Sequence, residues 1–487
     1  MYTPIVAVMG HIDHGKSTLL DYIRKSNVAD GEAGGITQHL SAYEITIPYQ
    51  GHDRSITFLD TPGHAAFTGM RERGASAADI AILVVSAEDG VKAQTIEALN
   101  TIRSAKIPFI VAINKIDKSG ANIERTKQTL AEHEVLVEGY GGTTPWVAVS
   151  ATKGTGVTDL LDTILLVSDI EEFASNETVE ATGIIIESHH DPKRGVAGTV
   201  IIKNGTLTQG SFVVAGTAIT TTRIMEDFLG KSIKSAGPGT PVQLVGFDKT
   251  PSVGATITVF TKKRDAEEYI ESTESAGAGD QAITNPDDTV VPIILKTDVY
   301  GTAEAIEQEL KKISIERLHV KIISRGVGNI SEGDIRMAQA DANTIIVGFN
   351  VGLDARARTL NEQVGARVET FNIIYKLTEW LGLELEQRRP RVETREVIGS
   401  AKVLKCFSKT KDRQVIGARV DSGTIASGAK VSIIRRDFTL GTGTIIEIQQ
   451  AKQKVRELSE GECGMQVECK YDIAPGDVLE AFIMVTK

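Results

Sequence analysis

Hydrophobic residues in the first third of the chain form short unbroken runs that alternate with segments of helical period. The runs are Ile5–Met9, Ser55–Asp60, Ile80–Ala87, Phe109–Asn114 and Trp146–Ser150. Helical spacing follows most of them, as in Lys92–Ser104, Ile123–His133 and Thr158–Asp169. Runs that are apolar at every position are typical of parallel strands buried on both faces, with crossover helices between them. We therefore predict a doubly wound α/β domain over residues 1–175, with its ligand at the carboxyl ends of the strands.

The pattern changes after residue 175, where short apolar runs are separated by glycine turns or again alternate with helices. We predict an antiparallel β-barrel over 176–262, a polar and partly helical linker over 263–288, a small α/β/α sandwich over 289–370, a connecting helix and linker over 371–395, and a second antiparallel β-barrel over 396–487. The stretch Gly205–Gly210 is echoed by Gly423–Gly428, so we expect the two barrels to be related.

A glycine-rich stretch joins the first strand to the first helix and fits the pattern G-x-x-x-x-G-K-[ST]. In such a loop, backbone N–H groups point at phosphate oxygens and the helix dipole favours anions. Lys16 adds a mobile cation, and the hydroxyl of Ser17 is placed to ligate Mg²⁺. The pattern predicts a polyphosphate site made by Gly10, His11, Ile12, Asp13, His14, Gly15, Lys16, Ser17 and Thr18.

A second motif, Asp60–His64, closes the apolar run before it. The carboxylate of Asp60 is suited to hold Mg²⁺ through water, and the N–H of Gly63 can approach a γ-phosphate because no side chain intervenes. His64 follows where a group could orient an attacking water. Thr37, in the loop Gly34–His39, is a further candidate ligand for Mg²⁺, although glycine pairs also mark plain loops.

A third motif, Asn114-Lys115-Ile116-Asp117, ends another strand. A buried Asp117 would accept hydrogen bonds from N1–H and the 2-amino group of guanine, which adenine does not offer. The next strand ends at Ser150-Ala151, where a backbone N–H can serve guanine O6. The predicted base contacts are Asn114, Lys115, Asp117, Ser150, Ala151 and Thr152.

Composition limits the cellular location and the partners that we expect for the chain. No apolar run in the 487 residues reaches the roughly 18 needed for a membrane span, and residues 1–4 leave no room for a signal peptide. The three cysteines lack metal or disulfide spacing, so we expect reduced thiols in a cytoplasmic protein. A net charge of −11 argues against a general nucleic-acid coat. Residues 396–487 carry 14 basic and 12 acidic residues, which makes the C-terminal region the better candidate for an RNA-facing surface.

Four strings, in this order and spacing, closely resemble the translational GTPases, and within them the bacterial translation initiation factor 2 family: GHIDHGKST, AGGITQH, FLDTPGHAAF and INKID. AGGITQH and the run Arg71–Ala75 resemble that family more than its elongation relatives. The resemblance implies that His64 positions the hydrolytic water and is screened by Ile12 and Ile36 until the ribosome admits it. It also implies that Asp13 helps to hold a monovalent cation beside the phosphates.

The resemblance continues more loosely to the C-terminus, where the family's last barrel holds the acylated end of initiator tRNA. The expected Glu-Cys-Gly is present at 462–464. Gln449, Gln450 and Ala451 stand where relatives carry two basic residues and an aromatic, and Ala418 stands where they often have a cysteine. These changes remove cations and a ring that could contact the tRNA end. The candidate tRNA contacts are Glu462, Cys463, Gly464, Gln449 and Gln450.

The leading hypothesis is a ribosome-activated GTPase that uses GTP and Mg²⁺, recruits initiator formylmethionyl tRNA to the small ribosomal subunit and promotes subunit joining. Its expected partners are the ribosome, with the GTPase-activating rRNA of the large subunit, initiator tRNA and other initiation factors, and the default oligomeric state is a monomer. Three alternatives stay open: another tRNA-delivering GTPase of elongation type, a metabolic P-loop enzyme, and a binding module in which hydrolysis only resets affinity.

Overall fold

The computed structural model describes residues 2–25, 37–173, 175–176, 178–191, 193–273, 289–313, 318–388, 393–410, 412–436, 438–451 and 453–486. The chain divides into two compact units, residues 1–388 and residues 389–487. Residues 34–36 of the glycine loop, Ile36 among them, and residues 274–288 of the predicted linker lie outside the described residues. No helix within the described ranges is long and apolar enough to cross a membrane.

The first unit begins with a six-stranded sheet. Its strands are β1 (Ile5–Gly10), β2 (Ser41–Tyr49), β3 (His52–Asp60), β4 (Ile80–Ser86), β5 (Phe109–Asn114) and β6 (Trp146–Ala148). Its helices are α1 (Lys16–Arg24), α2 (Thr68–Ala77), α3 (Ala93–Ala105), α4 (Ile123–Glu132) and α5 (Val157–Ile170). The strand order is β2-β3-β1-β4-β5-β6, with β1 parallel to both of its neighbours.

Alternation along β1 explains why that strand is apolar at every position. Ile5, Ala7 and Met9 pack into one core with α2, α3 and α4, whereas Val6 and Val8 pack into the opposite core with α1 and α5. Both faces of the strand are therefore covered by helices. The prediction of a doubly wound α/β sheet is confirmed.

One strand differs from the prediction. The segment between the first helix and the second apolar run was expected to be irregular, but part of it forms a strand. β2 pairs antiparallel with β3 at the edge of the sheet. Its side chains alternate, with Tyr43, Ile45 and Ile47 on one face, and Pro48 is tolerated because an edge strand can spare an N–H. The period-2 pattern of an amphipathic edge strand is weaker than a continuous apolar run, which is why this strand was missed.

A seven-stranded antiparallel sheet follows, in the order β11-β10-β15-β7-β8-β14-β12, beside a two-stranded pair, β9 and β13. The strands are β7 (Thr182–Asp191), β8 (Gly195–Asn204), β9 (Leu207–Thr208), β10 (Phe212–Ala215), β11 (Ala218–Thr221), β12 (Ile224–Glu226), β13 (Ser235–Ala236), β14 (Pro241–Phe247) and β15 (Thr256–Phe260). Residues from both of these sheets share one apolar core, as a barrel requires. Helix α6 (Lys263–Thr273) comes next, in the predicted linker.

The rest of the first unit is a parallel sheet between two layers of helices. Its strands are β16 (Thr289–Thr297), β17 (Leu318–Val327), β18 (Ile345–Phe349) and β19 (Arg367–Phe371), in the order β17-β16-β18-β19. Its helices are α7 (Tyr300–Lys312), α8 (Glu332–Ala338), α9 (Ala355–Val364) and α10 (Ile374–Gln387). Helices α7 and α10 cover one face of the sheet, and α8 and α9 cover the other. The α/β/α sandwich is confirmed, but a fourth strand, β19, ends at Phe371, where the connecting helix was expected to begin, and α10 starts at Ile374.

The second unit is a closed antiparallel barrel. Its strands are β20 (Glu393–Thr410), β21 (Arg413–Gly423), β22 (Ile425–Ala426), β23 (Lys430–Arg435), β24 (Phe438–Gln450), β25 (Gln453–Val455), β26 (Glu457–Leu458), β27 (Gly461–Glu468) and β28 (Val478–Thr486). The order β23-β28-β20-β21-β27-β24 closes because β23 also pairs with β24. Closure removes the exposed sheet edges.

The repeated glycine stretch has the same structure in both barrels. Gly205 and Gly423 have φ angles of 74° and 68°, and a Cβ atom at either would lie 2.4 Å or less from a carbonyl oxygen. Each is followed by a two-residue strand, β9 or β22, that pairs with another two-residue strand. Only glycine fits such a left-handed, crowded position, so the sequence echo reflects a shared structural requirement.

Candidate nucleotide-binding site

The loop between β1 and α1 curls around the ammonium group of Lys16. Gly15 has a left-handed φ of 82°, and a Cβ atom at Gly10 would lie 2.4 Å from the carbonyl oxygen of Val84. Lys16 Nζ donates to the carbonyl oxygens of Gly10 (3.0 Å) and His11 (2.8 Å). The side chain is only 6% exposed, and burial lowers the pKa of Lys16. Within the described residues this buried ammonium donates its hydrogen bonds to carbonyl oxygens, and a buried cation held in that way favours an anionic ligand.

The second strand-end turn reaches the same ammonium group. A Cβ atom at Gly63 would lie 2.4 Å from Lys16 Nζ and 3.1 Å from the backbone nitrogen of Ile12. Any side chain at this position would therefore displace the lysine. From sequence, Gly63 was expected to let a phosphate approach because it has no side chain. The same lack of a side chain lets the two turns pack together.

Three oxygen-bearing side chains meet next to Lys16. Ser17 Oγ lies 2.7 Å from Thr37 Oγ1, and Thr37 Oγ1 lies 3.4 Å from Asp60 Oδ2. Asp60 Oδ1 is buried with no hydrogen-bond partner in the described part of the chain, and burial raises the pKa of Asp60. Hydroxyl and carboxylate oxygens are ligands that Mg²⁺ prefers. The described residues contain no group of three or more His, Cys, Asp and Glu side chains that could hold a metal ion.

These residues surround a cavity of about 340 Å³. It is lined by Ile12, Asp13, Gly15, Lys16, Ser17, Thr18, Thr37, Gly63, His64 and Lys115. Asp13 is exposed and has a left-handed φ of 63°. The structure thus brings together residues from four stretches that lie far apart in sequence.

Two histidines of the loop do not line the cavity. His14 is fully buried, with Nδ1 3.4 Å from the carbonyl oxygen of Val84, and burial lowers its pKa to about 4. The ring of His11 packs on it at 4.9 Å, almost perpendicular. His14 is therefore a neutral imidazole that packs beneath the phosphate loop. It was predicted to contact the nucleotide, but in this structure it instead supports the backbone of the loop.

Asn114 connects the loop to the base-recognition motifs. Its Nδ2 donates to the carbonyl oxygen of His14 (2.9 Å), and its Oδ1 accepts from the N–H groups of Lys115 (2.7 Å) and Ala151 (3.1 Å). The N–H of Ser150 donates to the carbonyl oxygen of Thr155. A contact from the Ser150 or Ala151 amide to guanine O6 would have to replace or share these bonds.

Asp117 is less buried than the sequence argument assumed. The residue is partly exposed, and its carboxylate accepts from Ser150 Oγ (2.7 Å) and Thr152 Oγ1 (3.3 Å). The hydrogen bond from Ser150 holds the pKa of Asp117 below its ordinary value. The carboxylate is therefore ionised, and the two hydroxyls orient it at the surface.

His64 caps a short 3₁₀ turn, Ala65–Phe67, that precedes α2. Its Nδ1 accepts a hydrogen bond of 2.8 Å from the N–H of Ala66, and its carbonyl oxygen accepts from the guanidinium of Arg71. Burial lowers the pKa of His64. The ring packs almost perpendicular to that of Tyr375, with 4.2 Å between the ring centroids.

Three residues at this site were missed by the sequence analysis. Gln94 Oε1 accepts from the N–H of Ile12 (3.0 Å), in the phosphate loop itself. Arg71, quoted only as part of a family string, is 1% exposed and also donates to Glu97 Oε2 at 2.9 Å. Tyr375 approaches from α10. None lies within a motif that predicts its role, because tertiary packing alone brings these side chains to the site.

The candidate tRNA contacts of the second unit lie on neighbouring strands. Gly464 pairs with Gln449 of β24 on one side and with Gly417 of β21 on the other. Cys463 is 6% exposed, its Sγ donates to the carbonyl oxygen of Ala418 at 3.5 Å, and burial raises the pKa of its thiol to about 11. A depression of about 440 Å³ is lined by Leu404, Lys405, Phe407, Gly417, Ala418, Gln449, Ala451, Glu462, Cys463 and Gly464. Gln450 Nε2 lies 3.2 Å from where a Cβ atom at Gly461 would be.

Fold and site together define a P-loop GTPase of the translational class. Three family models match the chain: the elongation factor Tu GTP-binding domain over residues 2–169, elongation factor G domain 2 over 180–260, and translation-initiation factor 2 over 264–381. Translation initiation factor IF-2 of Bacillus cytotoxicus is 42% identical over 99% of this chain and 71% of the relative. That of Bacillus cereus strain B4264 is 41% identical over the same shares. The chain belongs to the translation initiation factor IF-2 family.

Membership makes the chain a translation initiation factor that binds guanine nucleotides, hydrolyses GTP and works with the ribosome. The expected family is confirmed, and the metabolic and elongation-type alternatives are set aside. Among solved structures, GDP-bound aIF5B from Aeropyrum pernix superposes with a TM-score of 0.46 at 23% identity, covering 98% of this chain and 92% of that one.

Proposed function

We propose that the triphosphate of GTP binds in the 340 Å³ cavity and that its guanine is read by Asp117. The observation that carries this proposal is the burial of the Lys16 ammonium at the wall of this cavity, next to a buried Asp60, where burial lowers the pKa of Lys16 although the charges of Asp60 and Asp13 raise it. A direct test compares the affinities for GTP and ATP by competition with a fluorescent guanine nucleotide. Equal affinities would overturn the proposal.

Mg²⁺ would be held by the hydroxyls of Ser17 and Thr37 and, through water, by Asp60. When bound, the cation neutralises charge on the phosphate oxygens. The 2.7 Å and 3.4 Å separations among these side-chain oxygens support this assignment, since the three groups already converge. Thr37→Ala should raise the Mg²⁺ concentration needed for half-maximal GTP binding, whereas the exposed-strand control Thr46→Ala should leave it unchanged. A Mg²⁺ requirement unchanged in Thr37→Ala would exclude Thr37 as a ligand.

For hydrolysis, we assign His64 the role of orienting water for in-line attack on the γ-phosphorus. Such GTPases are slow alone, and an external activator contributes roughly 10³–10⁵-fold. Both terminal nitrogens of Arg71 donate to Thr68, Glu97 and the His64 carbonyl, and the side chain is buried, so it does not serve as an arginine finger in this arrangement. Since Arg71 does not serve as an arginine finger, we assign activation to ribosomal RNA that orders the side chain of His64.

GTP turnover with and without ribosomes tests the role of His64. His64→Ala should retain GTP affinity and lose ribosome-stimulated turnover by roughly 10²–10⁴-fold, the usual contribution of a positioned proton-transfer group. The control is His52→Ala, an exposed histidine of β3. Fast turnover of the unmodified chain without ribosomes would contradict ribosome activation.

The second unit is proposed to hold the acylated end of initiator tRNA, so that the chain recruits formylmethionyl tRNA to the small subunit and promotes subunit joining. The shallow depression beside Gln449 and Glu462 supports this, because exposed Leu404 and Phe407 offer apolar contact while strand amides offer polar contact. Affinities for formylmethionyl and deacylated initiator tRNA are the test. Equal values would show that the acyl group is not read here.

Cytoplasmic action as a monomer, together with other initiation factors, is part of the same proposal. Light scattering by mixed ribosomal subunits follows joining directly. A non-hydrolysable GTP analogue should support joining but block release of the chain. If the subunits join equally fast when the chain has no GTP bound, GTP is not required for subunit joining.

A further inference from the structure

The ring of His64 is held by an aromatic residue from a distant part of the first unit. Its centroid lies 4.2 Å from that of Tyr375, with an interplanar angle of 80°, and 6.1 Å from that of Phe67. Tyr375 is the second residue of α10 and is 47% exposed, so its ring packs against the histidine while much of the residue remains open to solvent. Edge-to-face aromatic pairs of this kind are attractive and directional.

One ring nitrogen of His64 is also engaged in this orientation. Since Nδ1 accepts from the Ala66 N–H, the neutral ring carries its proton on Nε2. In that tautomer Nε2 donates a hydrogen bond to water but has no lone pair with which to accept a proton from it. In the orientation packed on Tyr375, the ring therefore offers water only a donor, whereas an acceptor is needed to turn a lone pair of the attacking water toward the γ-phosphorus.

Asn372, two residues before α10, contacts the segment that carries Thr37 as well. Gln38 Nε2 donates to the carbonyl oxygen of Asn372 at 3.0 Å. Gln38 directly follows Thr37, whose hydroxyl lies 2.7 Å from that of Ser17. Residues 372–375 thus contact both the segment that carries Thr37 and the turn that carries His64, at one small region of the surface.

We propose that Tyr375 is a positioning residue that restrains His64 in an unproductive orientation, so that fast GTP hydrolysis requires the beginning of α10 to release the ring. The proposal rests on the assignment of His64 to water orientation made above. An aromatic pair shifts an equilibrium between held and released rings roughly 2- to 10-fold. Loss of the tyrosine ring should raise the ribosome-independent rate by that factor.

The ring of Tyr375, not its hydroxyl, is the restraining element. No hydrogen bond joins the hydroxyl to any residue that the structure describes, whereas the ring makes the contact. Tyr375→Phe should therefore behave like the unmodified chain, and Tyr375→Ala should not. Leu383→Ala, at a 62% exposed position of the same helix, is the matched control for effects on α10 itself.

Single-turnover GTP hydrolysis without ribosomes is the primary measurement, made with each variant alone and combined with His64→Ala. We expect Tyr375→Ala to be roughly 2- to 10-fold faster at unchanged GTP affinity, the other two variants to match the unmodified chain, and the gain to vanish when His64 is absent. A rate in Tyr375→Ala that falls or does not change overturns the restraint. A gain that persists with His64→Ala overturns it as well.

These outcomes separate this proposal from the one on which it rests. If His64→Ala loses ribosome-stimulated turnover while Tyr375→Ala leaves the ribosome-independent rate unchanged, only the restraint is wrong. If His64→Ala keeps its stimulated turnover, the water-orienting role fails and the restraint with it.

A second measurement reports the contact directly. Burial lowers the pKa of His64, with Arg71 of α2 and Lys312 of α7 lowering it further and Glu309 of α7 raising it. Removal of the Tyr375 ring exposes the imidazole, so its pKa, followed by NMR of labelled histidine, should rise toward the ordinary value in Tyr375→Ala and stay the same in Leu383→Ala. A His64 pKa unchanged by Tyr375→Ala would show that the rings are not in contact in solution.

Discussion

Charged groups are treated differently in the nucleotide site of the first unit and on the candidate tRNA face of the second. In the nucleotide site, Lys16 is 6% exposed and Asp60 is 5% exposed, and one oxygen of Asp60 lacks a partner among the described residues. On the strands around the depression of the second unit, the charges are at the surface, and several of them form ion pairs. Lys454 lies 2.6 Å from Glu447, and Arg419 lies 3.5 Å from Asp421.

The difference indicates how strongly each region depends on its ligand. Burying an ionised group without full compensation is costly, so a site that does so is organised for a ligand that supplies the missing charge. Exposed ion pairs are already solvated and contribute little. Substitutions in the nucleotide site should therefore have large effects on binding, and substitutions on the barrel face should have small, salt-dependent effects.

The largest effect is expected for Lys16→Ala. Two charge-assisted hydrogen bonds to phosphate oxygens would be lost, which weakens GTP binding roughly 10³-fold. Lys118→Ala, an exposed lysine just after the Asn114–Asp117 motif, is the matched control and should bind normally. Titration with a fluorescent guanine nucleotide measures both. A loss below tenfold in Lys16→Ala would mean that the buried ammonium does not contact the triphosphate.

A smaller but more specific effect is expected for Asp117→Asn. The amide presents an N–H₂ donor where the carboxylate accepted from guanine, so GTP affinity should fall roughly 100-fold while affinity for xanthosine triphosphate rises. Asp162→Asn, at an exposed position of α5, controls for the loss of one negative charge. If both nucleotides lose affinity equally, Asp117 supports the loop and does not read the base.

Glu187 is a buried carboxyl outside the nucleotide site, and it tests whether burial by itself raises the pKa of a carboxyl and makes stability depend on pH. Burial raises the pKa of this carboxyl to about 7, while Ser188 and Gly301 donate backbone hydrogen bonds to it. Its folded pKa lies above the unfolded value of 4.5, so the folded chain binds the proton more tightly and the free energy of unfolding falls as pH rises from 5 to 7. The decrease amounts to about 2 kcal/mol.

Glu187→Gln should remove that pH dependence, because the amide does not titrate. The midpoint of thermal unfolding, measured at pH 5 and pH 7, follows the effect. Glu271→Gln, at an exposed position of α6, should retain the dependence of the unmodified chain. If Glu187→Gln and the unmodified chain show the same pH dependence of stability, the burial of Glu187 is not its cause.

Much of the fold could be predicted from sequence because continuous apolar runs report strands buried on both faces, as in β1. The elements that were missed, β2 and β19, are edge strands of their sheets. Edge strands need only one apolar face and so leave a weaker signal. The phosphate site was also predictable, since Lys16, Ser17 and Gly63 lie in contiguous motifs. Tyr375 was not, because only the packing of α10 brings it to His64, and no local pattern records a contact between residues so far apart in sequence.

The smallest effect is expected on the barrel face, for Lys405→Ala. Lys405 is exposed, lines the depression and lies 5.9 Å from the ring centroid of Phe407, so it is free to reach an RNA phosphate. Its loss should weaken binding of formylmethionyl tRNA only about 2- to 5-fold at moderate salt, as for an exposed charge. The slope of log K against log salt should become shallower by about 0.7–0.9. Lys430→Ala, exposed on β23 and outside the lining residues, should change neither quantity. If Lys405→Ala instead weakens binding as severely as Lys16→Ala weakens GTP binding, the contrast between a buried-charge site and a surface-charge face does not hold.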